Sequence, residues 1–277
     1  MAFDLKNVRT QIDAIDSKLL SLLNERVNLV LEVGKIKHAS GQDIYAPERE
    51  QALLRRLTGM NPGPLPNDSL KAIYREIMSS AISLEKPIVI AALGPESSIS
   101  ANAAKSKFGK SLRYTFQKDV RSIFKTVGDK KADYGVVPVE IQGDSTLLDV
   151  FDFFIDFPLR ICAQIVLEDG KKKKTKQEPT RFFVIGRKCP PPTGIDRTTI
   201  LFSLPDKPGA LALSLGVLAK AGVNLMKIES RPSWRAGFKY HFVIDLDGHA
   251  DEPKMAKALE QFASGCNAVK IIGSYPI

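Results

Sequence analysis

Cysteine is scarce in this 277-residue chain. Cys162, Cys189 and Cys266 form an odd, scattered set with no close pairs, which excludes a disulfide framework and a clustered zinc site. His38, His241 and His249 show no metal-ligand spacing either, so no metal and no cofactor is expected. No apolar run approaches the roughly 20 residues that span a bilayer, and the opening MAFDLKNVRTQID lacks an apolar signal core. A cytoplasmic protein without a membrane partner is the expectation. The net charge of +9 comes from basic residues spread along the whole chain, with no aromatic-rich basic stripe of the kind that stacks bases. That pattern argues against nucleic acid and leaves small anionic molecules as the partners the charge would favour.

What is present is enough apolar sequence, 44%, to build cores, and a charged fraction of 26% that is ordinary for a globular chain. Proline is absent before Pro47, and Leu5, Val8, Ile12, Ile15, Leu19 and Leu22 alternate steps of three and four. One long helix from about Asp4 to Ser40 follows, stopped by Gly41. A second helix opens at Pro47 in PEREQALLRRL, NPGPLP breaks it, and DSLKAIYREIMSSAISLE makes a third before Pro87. Two shorter helices cannot cover so long a stripe, so homodimerisation is expected.

From 87 to 188 the period changes. The strand-like runs PIVIAALG, LRYTF, ADYGVVPVE, LRICAQIVLE and TRFFVIG are separated by helical SSISANAAKSKFG, DVRSIFKTVGD and TLLDVFDFF and by a lysine run, KKKKTK. This reads as an α/β layer with mostly parallel strands. After the loop CPPPTG, residues 197–277 read strand–helix–strand–strand–helix–strand, a ferredoxin-like βαββαβ plait. The fold class is therefore multidomain, α + α/β + α+β, with parts at 1–86, 87–188 and 197–277.

In the first helix Arg26 stands where the stripe calls for a hydrophobe, between Leu22 and Leu29. Lys37 falls about 20° from the same face and roughly 16 Å along the axis. Two such side chains could clamp a small dianion, or Arg26 could snorkel or pair across an interface. Arg9 lies roughly 25 Å from Arg26 along the helix, too far to share a pocket within one chain.

NVRTQIDAIDSKLLSLLNERVNLVLEVGKIK followed by YAPEREQALLRRL resembles the all-helical type of chorismate mutase. The resemblance implies a dimeric long-helix bundle that converts chorismate to prephenate by a pericyclic rearrangement. It implies that Arg26 and Arg9 of the other chain bind the substrate carboxylates and that Lys37 donates to the ether oxygen. Arg49 and Glu50 then hold the ligand side chain and hydroxyl. The family's last polar donor falls on Glu85, which must be protonated to donate to the ether oxygen. Ala46 and Ala81 stand where some relatives have aspartate and serine, which implies lost affinity rather than lost function.

VIAALGPESS, ADYGVVPVE and PTRFFVIG resemble prephenate dehydratase, implying one lobe of a two-lobed, periplasmic-binding-protein-like fold. The second lobe would be inserted where only DGKKKKTKQEP stands here, so KKKKTK is expected to be a linker across an excised lobe. GPESS has lost a glycine of the family loop, and Glu140–Ile141 has lost an asparagine; Thr180, Arg181 and Phe182 remain of the family's TRF motif. Dehydratase activity is expected to be lost. LPDKPGALALSLGVLAKAGVNLMKIESRP resembles the ACT amino-acid-sensing module. That likeness implies a phenylalanine site at Gly209, Ala210, Leu211, Asn224, Glu229, Ser230, Arg231 and Pro232, completed by another subunit, with higher oligomers through the module's edges. Gly209 would free amides at a helix start for a carboxylate, and Trp234 and Phe238 could serve core or pocket. The other readings are an active two-step enzyme and a non-catalytic sensor whose helices only dimerise.

Overall fold

The computed structural model describes residues 4–40, 45–140, 150–167, 180–232 and 240–277. The first helix, α1, runs Leu5–Ala39 and is capped by Asp4, whose carboxylate accepts from the Lys6 amide at 3.1 Å. Lys37 and His38 in its last turn suit the helix dipole. Gly41, the expected stop, lies outside the described residues. Helix α2 spans Pro47–Met60, with Glu48 and Glu50 in its first turn, and α3 spans Asn67–Glu85.

The strands are β1 (Val89–Leu93), β2 (Arg113–Gln117), β3 (Tyr134–Glu140), β4 (Arg160–Leu167), β5 (Thr180–Gly186), β6 (Asp196–Ser203), β7 (Leu225–Pro232), β8 (Tyr240–Asp247) and β9 (Ala268–Pro276). Between them lie α4 (Ile99–Phe108), α5 (Val120–Gly128), α6 (Val150–Asp156), α7 (Ala210–Lys220) and α8 (Pro253–Ser264). The nine strands of the described residues join one sheet in the order β2-β1-β3-β5-β4-β9-β6-β8-β7.

In the middle segment β1, β2, β3 and β4 all run in one direction, in line with the expectation of mostly parallel strands, and β5 alone is reversed. β1 pairs parallel with β2 and β3, and β5 pairs antiparallel with both β3 and β4, so the reversal is confined to β5. The physical reason is the connection: β4 and β5 pair as far as Leu167↔Thr180, and consecutive strands paired to their shared end must be antiparallel. The lysine run, within 168–179, lies outside the described residues.

Strands β9-β6-β8-β7 are antiparallel throughout. They meet the other five where Ile161 of β4 pairs with Gly273 of β9. A Cβ at 273 would lie 2.5 Å from the Ile161 Cβ and 2.6 Å from its carbonyl oxygen, so glycine permits this close approach. One apolar core gathers Phe124, Phe154, Phe183, Ile161 and Tyr275, and a second gathers Phe202, Ile244, Leu246 and Phe262 under α8.

The chain divides into two compact units. One comprises Met1–Tyr45, Asn61–Ile88 and Phe108–Leu112; the other comprises Ala46–Met60, Val89–Lys107 and Arg113–Ile277. Helix α2 thus clusters with the α/β body, and the segment after α4 clusters with α1 and α3. Within the helical unit, α1 buries only Gly34. Residues 4–25 are all exposed, including Leu5, Ile12, Ile15 and Leu19.

Candidate active site and effector module

A glycine inside a helix, here ahead of the last turn of α1, costs about 1 kcal/mol against alanine, so Gly34 calls for a reason. It seats Glu85, the last residue of α3: a Cβ at 34 would sit 3.0 Å from the Glu85 Cγ and 3.1 Å from Oε2. Burial pushes the Glu85 carboxyl above the ordinary glutamate range, and the Lys37 charge pulls it partly back. Lys37 and Glu85 are therefore brought together, three residues along α1 from the glycine.

Arg26 is half-buried, and its Nη1 has no hydrogen-bond partner; the Oε2 of Glu85 is buried and unpartnered in the same way. Such atoms cost about 1–3 kcal/mol each when left unsatisfied, and native structures keep few of them without a functional cause. A lysine beside a carboxyl biased towards its neutral, proton-donating form can receive an anionic, oxygen-rich ligand, and Arg26 adds an unsatisfied cationic nitrogen further back on the same helix.

The remaining mutase residues are placed differently. Arg9 is exposed on the uncovered half of α1, and Arg49 is exposed on α2. Glu50 is largely buried and takes an ion pair from Lys107 at 3.3 Å, with side-chain exposures of 12% and 15%. Ala81 is buried and Ala46 is half-buried. Gly34 and Lys107 escaped the reading of the sequence. The glycine's position inside a helix was a legible signal, whereas nothing in the chain marks Lys107 among its other lysines.

In the α/β layer, β1 and β3 deliver the GPESS loop and Glu140 to the carboxyl end of parallel strands, where α/β sheets place their sites. Ser98 folds that loop, donating to the Leu93 carbonyl at 2.6 Å and accepting from the Ala101 amide at 3.1 Å. Arg181 is buried and committed to the C-terminal module. It donates to Asp245 of β8 at 3.2 Å and to Gln164 at 3.0 Å. Asp245 also accepts from Thr199 at 2.7 Å, and Thr199 meets the Tyr275 hydroxyl at 3.0 Å. Burial and the Asp245 charge push that phenol well above its ordinary range. Phe182 is fully buried. Ile141 and the side chains of Glu140 and Thr180 lie outside the described residues.

Gly209 precedes α7 at φ +78°, a left-handed conformation suited to glycine, and Ala210 and Leu211 open the helix. Asn224 donates to Asp247 at 2.8 Å, and Glu229 pairs with Lys227 at 2.6 Å. Ser230 is exposed on β7, the edge strand of the sheet. Trp234, Phe238 and the side chains of Arg231 and Pro232 lie outside the described residues. Among the described residues, no helix is long and apolar enough to cross a membrane.

Comparison with known proteins finds three family matches along the chain. The family described as chorismate mutase type II matches residues 8–86, prephenate dehydratase matches 90–168, and the ACT domain matches 198–264. A bifunctional chorismate mutase/prephenate dehydratase of Aquifex aeolicus is 33% identical over 354 residues, covering 99% of this chain and 98% of the relative. The prephenate dehydratase of Streptococcus mutans superposes with a TM-score of 0.58 at 30% identity, over 68% of this chain and 97% of its own. That of Arthrobacter aurescens, solved in complex with L-Phe, shares the fold with a TM-score of 0.58 at 23% identity, over 69% and 90%. The mutase, dehydratase and ACT parts follow one another here in a single polypeptide, and the chain belongs to the bifunctional chorismate mutase/prephenate dehydratase family, as an isomerase of the chorismate mutase type.

Proposed function

We propose that the chain acts as a homodimeric chorismate mutase whose dehydratase activity is lost and whose ACT module binds phenylalanine. The observation that carries the mutase site is the pair of buried, unpartnered polar atoms, Arg26 Nη1 and Glu85 Oε2. Chorismate, a dianion with an ether oxygen, would satisfy both kinds. Arg26 and Arg9 of a second copy take the carboxylates, and Arg49 and Glu50 hold the ligand side chain and hydroxyl. Lys37 and protonated Glu85 donate to the ether oxygen as its bond breaks. No covalent bond to the protein and no net proton transfer are required, so the rate comes from holding the compact conformer and stabilising developing charge. The exposed stripe of α1 supports the dimer, since apolar surface on this scale is normally covered.

Three observations support loss of the dehydratase. The aligned span with the Aquifex relative, 354 residues, exceeds this chain's 277, so the relative carries sequence with no counterpart here. The dehydratase match stops at 168, where the lysine segment begins. Arg181 of the remaining motif is held by Asp245. A single lobe cannot close a cleft, exclude water and orient two leaving groups. The antiparallel order β9-β6-β8-β7 supports a ferredoxin-like ACT module, and the left-handed Gly209 ahead of α7 supports a carboxylate site there. The cytoplasm is the proposed compartment.

The test is chorismate consumption followed by absorbance, with product analysis. Wild type should yield prephenate without phenylpyruvate, and Arg26→Ala should lose turnover by about a hundredfold or more, as for removal of a transition-state donor. A wild type that leaves chorismate untouched sinks the mutase reading. Rapid phenylpyruvate formation sinks the loss of the dehydratase.

A further inference from the structure

Four residues of the segment 107–111 contact residues within the span that matches the mutase family. Lys107 Nζ lies 3.3 Å from Glu50 Oε2, and neither side chain is more than 15% exposed. The next residue, Phe108, packs its ring 5.0 Å from that of Tyr45, just ahead of α2, and both are buried. The Lys110 amide donates to Glu76 of α3 at 3.0 Å, and the Ser111 amide donates to Ser79 at 3.2 Å. Lys107 engages one oxygen of a carboxylate that the mutase reading assigns to the substrate hydroxyl.

We propose that Lys107 is a positioning residue for the mutase reaction. It holds the Glu50 carboxylate by Oε2 so that the carboxylate can accept from the substrate hydroxyl. This rests on the reading of Glu50 as a substrate ligand. A largely buried carboxylate deprived of its cation would turn towards water or another donor, and substrate binding would weaken in the ground state and the transition state alike.

The experiment measures chorismate consumption by the full chain as wild type, Lys107→Gln, Lys107→Arg, Glu50→Gln and the Lys107→Gln/Glu50→Gln double variant. Arg26→Ala serves as a control, and folded fractions are matched by circular dichroism. Lys107→Gln should raise KM about tenfold with kcat changed far less, the signature of lost uniform binding. Lys107→Arg should restore most of the loss. In the Glu50→Gln background, Lys107→Gln should add nothing, because the two residues act as one unit. An unchanged KM in Lys107→Gln overturns the inference, and so does a full-sized effect in the Glu50→Gln background or a gain in activity. If wild type turns over chorismate and Arg26→Ala does not, those outcomes fall on Lys107 alone. If wild type is inactive, the mutase reading fails and the role of Lys107 fails with it.

Discussion

Replacing Gly34 by alanine should separate stability from activity. In an exposed helix interior the change would stabilise the chain by about 1 kcal/mol. At Gly34 the new Cβ meets the Glu85 Cγ at 3.0 Å and Oε2 at 3.1 Å, about half an ångström inside comfortable carbon contact. The Glu85 stem has rotatable bonds and can move aside, so the fold keeps most of the propensity gain. The carboxyl cannot both move aside and stay where the ether oxygen needs a donor, and misplacement by about 1 Å costs up to a hundredfold in rate. We therefore expect Gly34→Ala to melt at or above the wild-type temperature while kcat for chorismate falls about ten- to a hundredfold. Thermal melts by circular dichroism and initial rates on the same preparation decide it. Wild-type kcat would refute the seat assigned to Glu85. Parallel loss of melting temperature and activity would refute the claim that the helix itself is indifferent to the change.

Two further outcomes follow from the same geometry. Burial raises the Glu85 carboxyl while Lys37 opposes the shift, so the folded state holds that proton to higher pH than the unfolded chain does. Both kcat and this group's contribution to stability are then fullest at low pH and decline as pH rises through the raised value. Glu85→Gln should flatten the pH–rate profile and raise stability at neutral pH; a wild-type kcat that is level from about pH 5 to 8.5 would contradict a protonated donor. Breaking the buried Arg181–Asp245 pair by Arg181→Met should destabilise the α/β body by about 3–5 kcal/mol, because Asp245 is left charged and enclosed. Arg181→Met with Asp245→Leu should recover much of the loss in a denaturant titration, and a single variant as stable as wild type would show the pair to be dispensable.

The sequence by itself determined the elements. The three-and-four spacing of Leu5 to Leu22, with no proline before Pro47, dictates a helix of Leu5–Ala39, because a local periodicity needs only local stereochemistry to be read. Short apolar runs between glycines and prolines marked the strands for the same reason. Arg26 and Lys37 were legible as a cationic face, since both lie on one regular helix. The direction of β5 was not legible: alone among the described strands of the middle segment it runs against β1–β4, and an apolar run carries no sign of its direction. Only the tertiary structure decided which distant side chains would meet. It set Glu85 on Gly34, Lys107 on Glu50 and Arg181 on Asp245. Each of these pairs joins residues tens of positions apart, and packing between elements, not the spacing within either one, brings them together.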